Sequence, residues 1–344
     1  MSKLRLSIII PMYNVAPYVD RCLRSLSNQD IPSEDYEIIC VNDGSPDNCS
    51  EIVKRLQNEI PNIILIEQSN QGVSMARNNA IAIAKGNYIL PIDPDDYVVP
   101  NCLKKALEKA ENEQLDVLYC AFEIFDENSK PIWRTNYAHI EQKIDSGYEG
   151  YFAVRGTKVK DPDRSWAIIY KRAMLNEFEI KYPKDIPYLE DGLFLGKVFA
   201  VAERVGYSDT DFYQRTTRIG SATHSNLYNT DKARRGFAMT IAILDEFINR
   251  YKITGSSLAI LNHIKCQFAL KYVISCRNSK LYKEAIPFIK TNKEIFANED
   301  VLRGEGFFEK MYFRFIIFSP SLFFLLQPIL VRFVFHVRNI WPNK

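Results

Sequence analysis

The sequence predicts an α/β protein with a mostly parallel β-sheet that carries helices on both faces, followed by a helical C-terminal region. Short apolar, β-branched runs alternate with helical patterns through the N-terminal third of the 344 residues. Strands that alternate with helices form mostly parallel sheets, because each crossover helix carries the chain back to the end of the sheet where the previous strand began. After residue 226 the pattern is helical alone. We therefore predict one α/β domain over 1–225, a helical region over 226–306 and a distinct tail over 307–344.

Each predicted strand is a short apolar run followed by polar turn residues or by a helical pattern. The predicted strands are Leu6–Pro11, Tyr36–Val41, Ile63–Ile66, Tyr88–Ile92 and Val117–Phe122, and the predicted helices include Ser74–Ala84, Pro100–Asn112, Asp231–Tyr251, Ser256–Cys276 and Tyr282–Ile295. In such sheets, ligands bind beyond the carboxyl ends of the strands. The first candidates for a site are therefore the segments that follow the strands: Pro11–Asn14, Asn42–Ser45, Glu67–Asn70 and Asp93–Asp96.

Three carboxylates follow the fourth predicted strand within four residues: Asp93, Asp95 and Asp96. Like charges this close repel one another, and a cation between them and a phosphate relieves the repulsion. Mg²⁺ and Mn²⁺ suit such a place, because they prefer oxygen ligands and bind through one or two carboxylates plus substrate phosphates. A carboxylate here can also bind ribose hydroxyls. Taken alone, the motif is equally compatible with a solvated acidic turn that caps the next helix.

Two further segments at this predicted edge favour a nucleotide ligand. Asp43 follows the second strand, where a carboxylate can accept a hydrogen bond from the N–H edge of a base, although residues 42–45 also suit a plain turn. Arg77 lies about one turn inside a helix that opens with small residues. A helix N-terminus and a guanidinium both attract anions, so this segment predicts a nearby diphosphate. The alternative is a surface arginine on a capped helix.

Acidic and histidine side chains later in the chain complete the candidate set. Glu190 and Asp191 precede a densely apolar helix, where acids also occur simply because they suit the helix dipole. An Asp directed into the crevice can act as a general base and remove the proton of an acceptor hydroxyl. His224, in the polar loop 221–225, reaches a metal or phosphates if the loop folds over them; a lone histidine is otherwise structural or exposed.

Taken together and in this order, these segments resemble the family 2 glycosyltransferases with the GT-A fold. The resemblance spans roughly residues 5–225 and rests on Ser7–Asn14, Val41–Ser45, Asn70–Asn79, Gly86–Ile89, Asp93–Asp96, Glu190–Asp191 and Tyr213–Arg215. Ala80 stands where the family commonly has Gly, and Pro91–Ile92 stands where it often has an aromatic residue followed by Leu or Val. Neither departure touches a proposed chemical role.

The resemblance implies an inverting glycosyltransferase that takes a sugar from a nucleotide-diphospho-sugar, usually UDP-linked. Its pattern implies that the base lies near Pro11 and Tyr13 and is read by Asp43. Asp93 would lie near the ribose and the metal site, and Asp95 would bind the Mn²⁺ or Mg²⁺ ion that bridges the diphosphate. His224 is a further candidate metal ligand on the residues alone, if its loop folds over the ion. Asp191 would be the catalytic base. The full set of implied donor-binding residues is Pro11, Tyr13, Asn14, Asp43, Arg77 and Asp93.

The tail has a composition of its own. Residues 311–337 are rich in Phe and Leu. Basic residues flank the apolar runs inside this segment: Lys310, Arg314, Arg332 and Arg338. The apolar run is shorter than the ~20 residues of a spanning helix, and prolines interrupt it. We expect an interfacial segment that binds an anionic membrane surface. A buried core helix or an oligomer interface is the alternative, because apolar periodicity does not separate these cases.

Composition limits the partners and the compartment. The 44 basic and 42 acidic residues leave a net charge of +2, which gives no general case for nucleic-acid binding. The seven cysteines are odd in number and lack C-x-x-C spacing, as expected of reduced thiols in a cytosolic compartment. The N-terminus lacks the apolar core of a signal peptide. We expect a cytoplasmic enzyme, peripheral on the inner face of the cell membrane, that uses a glycan or lipid-linked glycan acceptor in cell-surface polysaccharide synthesis.

Two other functions share part of this pattern. A sugar-nucleotide-forming nucleotidyltransferase also combines an alternating fold, acidic metal ligands and a nucleotide. It usually has a Gly-rich phosphate loop after the first strand, where this chain has Pro11–Asn14. A catalytically inactive sugar-nucleotide-binding module is the second alternative. The presence of both Asp95 and Asp191 argues against it.

Overall fold

In a computed structural model the chain forms two compact units, Met1–Ser225 and Asn226–Lys344. The structure describes residues 4–126, 128–156, 160–184, 186, 189–217, 229–278, 280–297 and 314–324. Each unit has its own apolar core.

The first unit is built on one mixed sheet. Its described residues form nine strands: β1 Leu6–Met12, β2 Tyr36–Asp43, β3 Ile63–Gln68, β4 Tyr88–Pro91, β5 Tyr97–Val98, β6 Val117–Phe125, β7 Pro131–Arg134, β8 Ile168–Lys171 and β9 Val205–Thr216. Their order across the sheet is β3-β2-β1-β4-β8-β6-β9-β5, and β7 pairs with β6. The helices of this unit are α1 Ala16–Ser27, α2 Cys49–Leu56, α3 Val73–Ile83, α4 Leu103–Asn112, α5 Gly147–Gly156, α6 Arg172–Glu177 and α7 Glu190–Val201.

The N-terminal half of the sheet is parallel, as predicted. β1 pairs in parallel with β2 and β4, and β2 pairs in parallel with β3. Every β1 residue is buried, because α3 packs on β1 and β2 and α1 contributes to the same core. Gly86 lets the chain approach β1 closely, since a Cβ there would lie 2.4 Å from the Leu6 carbonyl carbon. The carboxyl ends of β1, β2 and β4 therefore meet at one edge.

The other half of the sheet is more antiparallel than predicted. β8 runs antiparallel to both β4 and β6, and β5–β9 and β6–β7 are also antiparallel, while β6–β9 is parallel. The four-residue strand β8 is too short for its pattern to stand out in the sequence. The predicted α/β fold class is confirmed, and the sheet is mixed.

The second unit is helical in its described residues, with α8 Asp231–Tyr251, α9 Gly255–Asn278, α10 Tyr282–Thr291 and α11 Lys293–Ala297. The single helix predicted over 282–295 is wrong. Asn292 ends α10 by donating both its backbone N–H, at 3.0 Å, and its side-chain amide, at 2.9 Å, to the Phe288 carbonyl. A new helix then begins at Lys293.

The described part of the tail is helical over 314–318 and 320–324. Ile316, Phe323 and Phe324 are buried in the same core as Val273 of α9. Phe318, in contrast, is 85% exposed. Within the part of the chain that the structure describes, no helix is both long and apolar enough to cross a membrane.

Candidate active site

The end of β1 lies at the carboxyl edge of the sheet, between the ends of β2 and β4. Pro11 is buried within the strand, whereas the next residue but one, Tyr13, is 51% exposed. Asn14 has a left-handed backbone (φ 56°), and its N–H donates to the Ser45 hydroxyl at 2.8 Å. This bond joins the turn after β1 to the turn after β2. Tyr13 is therefore an exposed aromatic side chain beside a fixed turn, and an aromatic ring is suited to stacking on a base.

Asp43, at the end of β2, fixes the loop that leads into α3. Its Oδ1 accepts from the Gln68 side-chain amide and from the Gln71 N–H, both at 2.7 Å, and its Oδ2 accepts from the Gly72 N–H at 2.8 Å. The residue is only 3% exposed. A carboxylate has about four positions at which it can accept a hydrogen bond, and these three contacts occupy three of them. The predicted hydrogen bond from a base would use the remaining position.

The three acids after β4 separate into different environments. Asp96 is buried, and it accepts a hydrogen bond from the Tyr213 hydroxyl at 2.6 Å and another from the Thr216 N–H at 2.8 Å. Burial, together with the neighbouring charges of Asp95 and Asp93, raises the pKa of Asp96 well above its usual range. Asp96 therefore anchors β9 to the motif, and Asp93 and Asp95 remain half-buried.

Arg77 is the centre of the site, because its guanidinium joins acids from two distant segments. Its Nη2 donates to Asp93 Oδ1 at 2.9 Å, and its Nη1 donates to Asp191 Oδ1 at 2.8 Å. Glu190 Oε1 lies 3.6 Å from Nη1, and the guanidinium stacks over the Tyr182 ring at 5.1 Å. Arg77 is only 4% exposed, so it is a buried cation and not the surface arginine of the alternative interpretation.

Asp191 stands in the first turn of α7 with its carboxylate turned toward Arg77. The Ser165 hydroxyl donates to Asp191 Oδ1 at 2.8 Å, and the Ser165 N–H faces Oδ2 at 3.4 Å. Burial raises the pKa of Asp191 above its usual value, although Arg77 opposes the shift. Burial and the Asp191 charge raise the pKa of Glu190 to about 7. A carboxyl pair with raised pKa values facing a crevice is typical of acid–base chemistry.

The described residues fit an ion that arrives with a substrate diphosphate better than a preformed metal cage. They contain no group of three or more His, Cys, Asp or Glu side chains placed to hold a metal. Three carboxylates surround the buried cation Arg77, so this edge carries excess negative charge that a divalent cation would balance. One or two carboxylates plus phosphates is the usual way in which Mg²⁺ is held.

The site includes residues that the sequence interpretation missed. Ser165 and Tyr182 lie in no recognised motif, and their contacts depend on chain segments far apart in sequence. Tyr213 was recognised only as part of the family resemblance and was given no role, but its ring stacks on Trp166 at 4.8 Å and its hydroxyl donates to Asp96. His224, together with the loop 221–225, lies outside the described residues.

Comparisons with known proteins agree with this geometry. The sequence profile "Glycosyl transferase family 2" matches residues 7–177. The uncharacterized glycosyltransferase EpsJ of Bacillus subtilis (strain 168) is 29% identical over 318 residues, which make up 87% of this chain and 89% of EpsJ. Poly(ribitol-phosphate) beta-N-acetylglucosaminyltransferase TarS of Staphylococcus aureus (strain Mu50 / ATCC 700699) is 26% identical over 278 residues, 75% of this chain and 46% of TarS. The alignment thus spans about half of TarS.

Solved structures show the same fold. S. aureus TarS 1–349 in complex with UDP-GlcNAc superposes with a TM-score of 0.63 at 22% identity, covering 85% of this chain and 81% of that one. Mannosyltransferase PcManGT from Pyrobaculum calidifontis, in complex with GDP-Man and Mn²⁺, superposes with a TM-score of 0.51 at 15% identity, covering 99% and 88%. At these identities the likeness establishes the fold, which is GT-A.

Proposed function

Because this chain belongs to glycosyl transferase family 2, we propose that it moves a sugar from a UDP-sugar to an acceptor hydroxyl with inversion, in the synthesis of a cell-surface polysaccharide or a lipid-linked glycan. One observation carries the proposal. The donor-side acid Asp93 and the proposed base Asp191 bind the same buried guanidinium at the carboxyl edge of the sheet. A donor and an acceptor hydroxyl bound beside these two acids would lie next to each other.

The chemistry follows from the position of each group. Asp191 takes the proton of the acceptor hydroxyl as its oxygen attacks the anomeric carbon, and the bond from that carbon to the diphosphate breaks. A single in-line displacement of this kind inverts the anomeric configuration. The raised pKa of Asp191 makes its carboxylate a stronger base than an exposed one.

The donor would occupy the ends of β1, β2 and β4. In this arrangement the base stacks on Tyr13 beside Asn14 and is read by Asp43, while Asp93 receives the ribose. Asp43 also holds residues 71 and 72 at the start of α3, so it shapes the loop next to the donor. The TarS complex with UDP-GlcNAc, which has this fold, supports a UDP-sugar as donor.

Asp95 is the residue that would hold Mn²⁺ or Mg²⁺ together with the donor phosphates, and His224 is proposed as a further ligand. The ion, when bound, stabilises the negative charge that develops on the departing diphosphate. The Mn²⁺ in the PcManGT complex supports a divalent ion in this fold. Arg77, with its guanidinium already between Asp93 and Asp191, contributes to donor binding chiefly by fixing Asp93.

A donor screen tests the proposed function. The full-length chain with Mn²⁺ is incubated with UDP-, GDP- and dTDP-sugars, with and without added inorganic pyrophosphate, and both nucleoside diphosphate and nucleoside triphosphate are measured. We expect release of UDP from at least one UDP-sugar and no pyrophosphate chemistry. Pyrophosphate-dependent formation of UTP would instead identify a nucleotidyltransferase. Binding of a nucleotide sugar without turnover, in the presence of glycan and lipid-linked acceptors, would identify an inactive binding module.

We also propose that the tail attaches the enzyme to an anionic membrane surface on the cytoplasmic side. All 42 acidic residues precede Lys310, whereas the segment 310–344 contains five Lys and Arg residues and no acid. Such a segment is attracted to anionic headgroups. Within its described part, Phe318 and Leu322 are exposed beside buried Ile316 and Phe323. An apolar pair on a basic segment is suited to insertion at the acyl boundary.

The membrane proposal is tested without disturbing the core. A chain ending at residue 306 would remove Ile316, Phe323 and Phe324 from the core of the second unit, so a chain ending at Phe324 is the better truncation. We expect this chain, and the full-length Phe318→Ser/Leu322→Ser variant, to bind phosphatidylglycerol vesicles at least about 10-fold more weakly than the wild type. The full-length wild type should bind phosphatidylglycerol vesicles more strongly than phosphatidylcholine vesicles, and added salt should weaken this preference. Equal, weak binding of all three proteins to both vesicles would contradict the proposal.

A further inference from the structure

Ser165 lies directly behind the proposed catalytic base. It is fully buried, its hydroxyl donates to Asp191 Oδ1 at 2.8 Å, and its carbonyl accepts from the Tyr170 hydroxyl at 2.9 Å. A hydrogen bond to a carboxylate is charge-assisted and stronger than one between neutral groups. Both the side chain and the main chain of Ser165 therefore make hydrogen bonds.

The two oxygens of Asp191 are not equivalent. Oδ1 accepts from both the Arg77 guanidinium and the Ser165 hydroxyl, each at 2.8 Å. Among the residues that the structure describes, Oδ2 accepts only from the Ser165 N–H, at 3.4 Å and therefore long for a hydrogen bond. The side chain nonetheless keeps 21% of its surface exposed. The carboxylate is thus held through one oxygen, and the other retains its capacity to accept.

We propose that Ser165 is a positioning residue that holds Asp191 through Oδ1, so that Oδ2 is the oxygen that receives the acceptor proton. This inference rests on the proposed function and refines it. In the step, the acceptor O–H proton moves to Oδ2, the acceptor oxygen forms its bond to the anomeric carbon, and the electron pair of the breaking bond leaves on the diphosphate. Asp191 then returns the proton to solvent.

Neighbouring side chains keep Ser165 in place. Arg164 is buried, with its guanidinium 4.3 Å above the Phe122 ring, and its Nη2 donates to the Tyr137 hydroxyl at 3.0 Å. Trp166 stacks on Tyr213. Aromatic and cation–π contacts thus fix the residues on either side of Ser165. A catalytic group supported in this way has its geometry set before the substrate binds.

Ser165 and Arg77 should differ in their effects on the reaction. Arg77 contacts both Asp93 and Asp191, so its loss disturbs donor binding and the base together. Ser165 contacts Asp191 and not the donor-side acids. Substitution of Ser165 should therefore lower kcat with little change in the KM for the donor, whereas Arg77→Gln should change both.

The test compares Ser165→Ala with Ser7→Ala, a control that also loses a buried serine–carboxylate bond. Ser7 donates to Glu37 at 2.6 Å from near the opposite end of β1. We expect Ser165→Ala to lower kcat by about 10- to 100-fold, the range for a lost hydrogen bond to a charged group. Its donor KM should stay within about twofold. Ser165→Cys, which keeps a weak donor of similar size, should restore part of the lost turnover.

A pH titration gives a readout that a merely structural role would not move. The charged and titratable groups near Asp191 are Arg77, Asp93, Tyr170, Tyr182 and Glu190. A hydrogen bond to the ionised carboxylate lowers its pKa, so its loss should raise the pKa of Asp191 further. The ionised form is the base, so the low-pH limb of kcat/KM should move to higher pH in Ser165→Ala and stay in place in Ser7→Ala.

Carboxyl ¹³C NMR, with the Asp191 resonance assigned from Asp191→Asn, measures the same pKa shift without any acceptor. An unchanged Asp191 pKa in Ser165→Ala, or an unchanged kcat in an active enzyme, would overturn the inference. If no UDP-sugar is turned over by the wild type, the proposed function fails on its own, and the NMR titration still decides whether Ser165 supports Asp191.

Discussion

Replacing Asp191 with Asn is expected to lower kcat by about 10²-fold or more, while UDP binding stays within about threefold of the wild-type value. The amide oxygen of Asn can still accept from Arg77 and Ser165, which bind Oδ1 in the native site. The amide nitrogen, however, cannot accept the acceptor proton. The substitution therefore removes the base and preserves the local packing. Initial rates of UDP release at saturating donor and acceptor measure the effect.

Glu190→Gln is the matched control for this prediction. Glu190 precedes Asp191 in the same helical turn, but its Oε1 lies 3.6 Å from Arg77, compared with 2.8 Å for Asp191. Glu190→Gln should lower kcat clearly less than Asp191→Asn does. If Asp191→Asn changes turnover by less than about threefold, Asp191 is structural and the base lies elsewhere.

Replacing Asp95 with Ala is expected to lower kcat/KM by about 10²-fold or more at any Mn²⁺ concentration. Stabilisation of a departing diphosphate by a divalent ion contributes several kcal/mol, and each 1.36 kcal/mol corresponds to about tenfold in rate. Chelation of the wild type should abolish transfer, and added Mn²⁺ or Mg²⁺ should restore it. The loss in the variant should resist restoration, because the residue that holds the ion is gone.

Asp211→Ala is a suitable control for the Asp95 variant. Asp211 is an exposed acid that pairs with Arg134 at 2.8 Å, away from the proposed chemistry. Its activity and its metal dependence should match those of the wild type. Full activity of Asp95→Ala in excess chelator would show that the reaction needs neither this carboxylate nor an ion.

The sequence predicted which strand ends meet at one edge of the sheet, because that arrangement follows from local patterns. Apolar runs that alternate with helices imply a parallel arrangement, and the ends of β1, β2 and β4 then meet at one edge. The short antiparallel strand β8 was missed, since a strand of only four residues carries little periodic signal. The likeness to TarS at a TM-score of 0.63 supports the fold that the family resemblance implied.

The roles of individual side chains depended on contacts between distant segments. Asp93, Asp95 and Asp96 are alike in sequence, but Tyr213, from β9, buries the third of them. Arg77 was predicted beside a diphosphate from its place in a helix. Its pairing with Asp191 depends on where α7 packs, which no local pattern encodes. Ser165 has no sequence signal at all, because its role exists only through that packing.

The tail shows the same limit of prediction from local sequence patterns. Its composition predicted a segment at the membrane interface, with a buried core helix or an oligomer interface as the alternative. Phe318 is exposed. Yet Ile316, Phe323 and Phe324 belong to the core of the second unit. Apolar residues that alternate between a core and a surface give one continuous apolar run in the sequence. Such a run does not reveal which side chains face which environment.

Calorimetric titration of UDP into three proteins, the wild type, Asp191→Asn and Asp95→Ala, tests the central claim most directly. That claim is that one edge of the sheet holds a donor and metal site beside a separate base. In Mn²⁺, the wild type and Asp191→Asn should bind UDP equally within about threefold, and Asp95→Ala should bind at least about 10-fold more weakly. Chelation of the metal should weaken UDP binding by the wild type and by Asp191→Asn to the level of Asp95→Ala. Loss of UDP binding in Asp191→Asn as severe as in Asp95→Ala, or equal binding by all three proteins, would contradict the account.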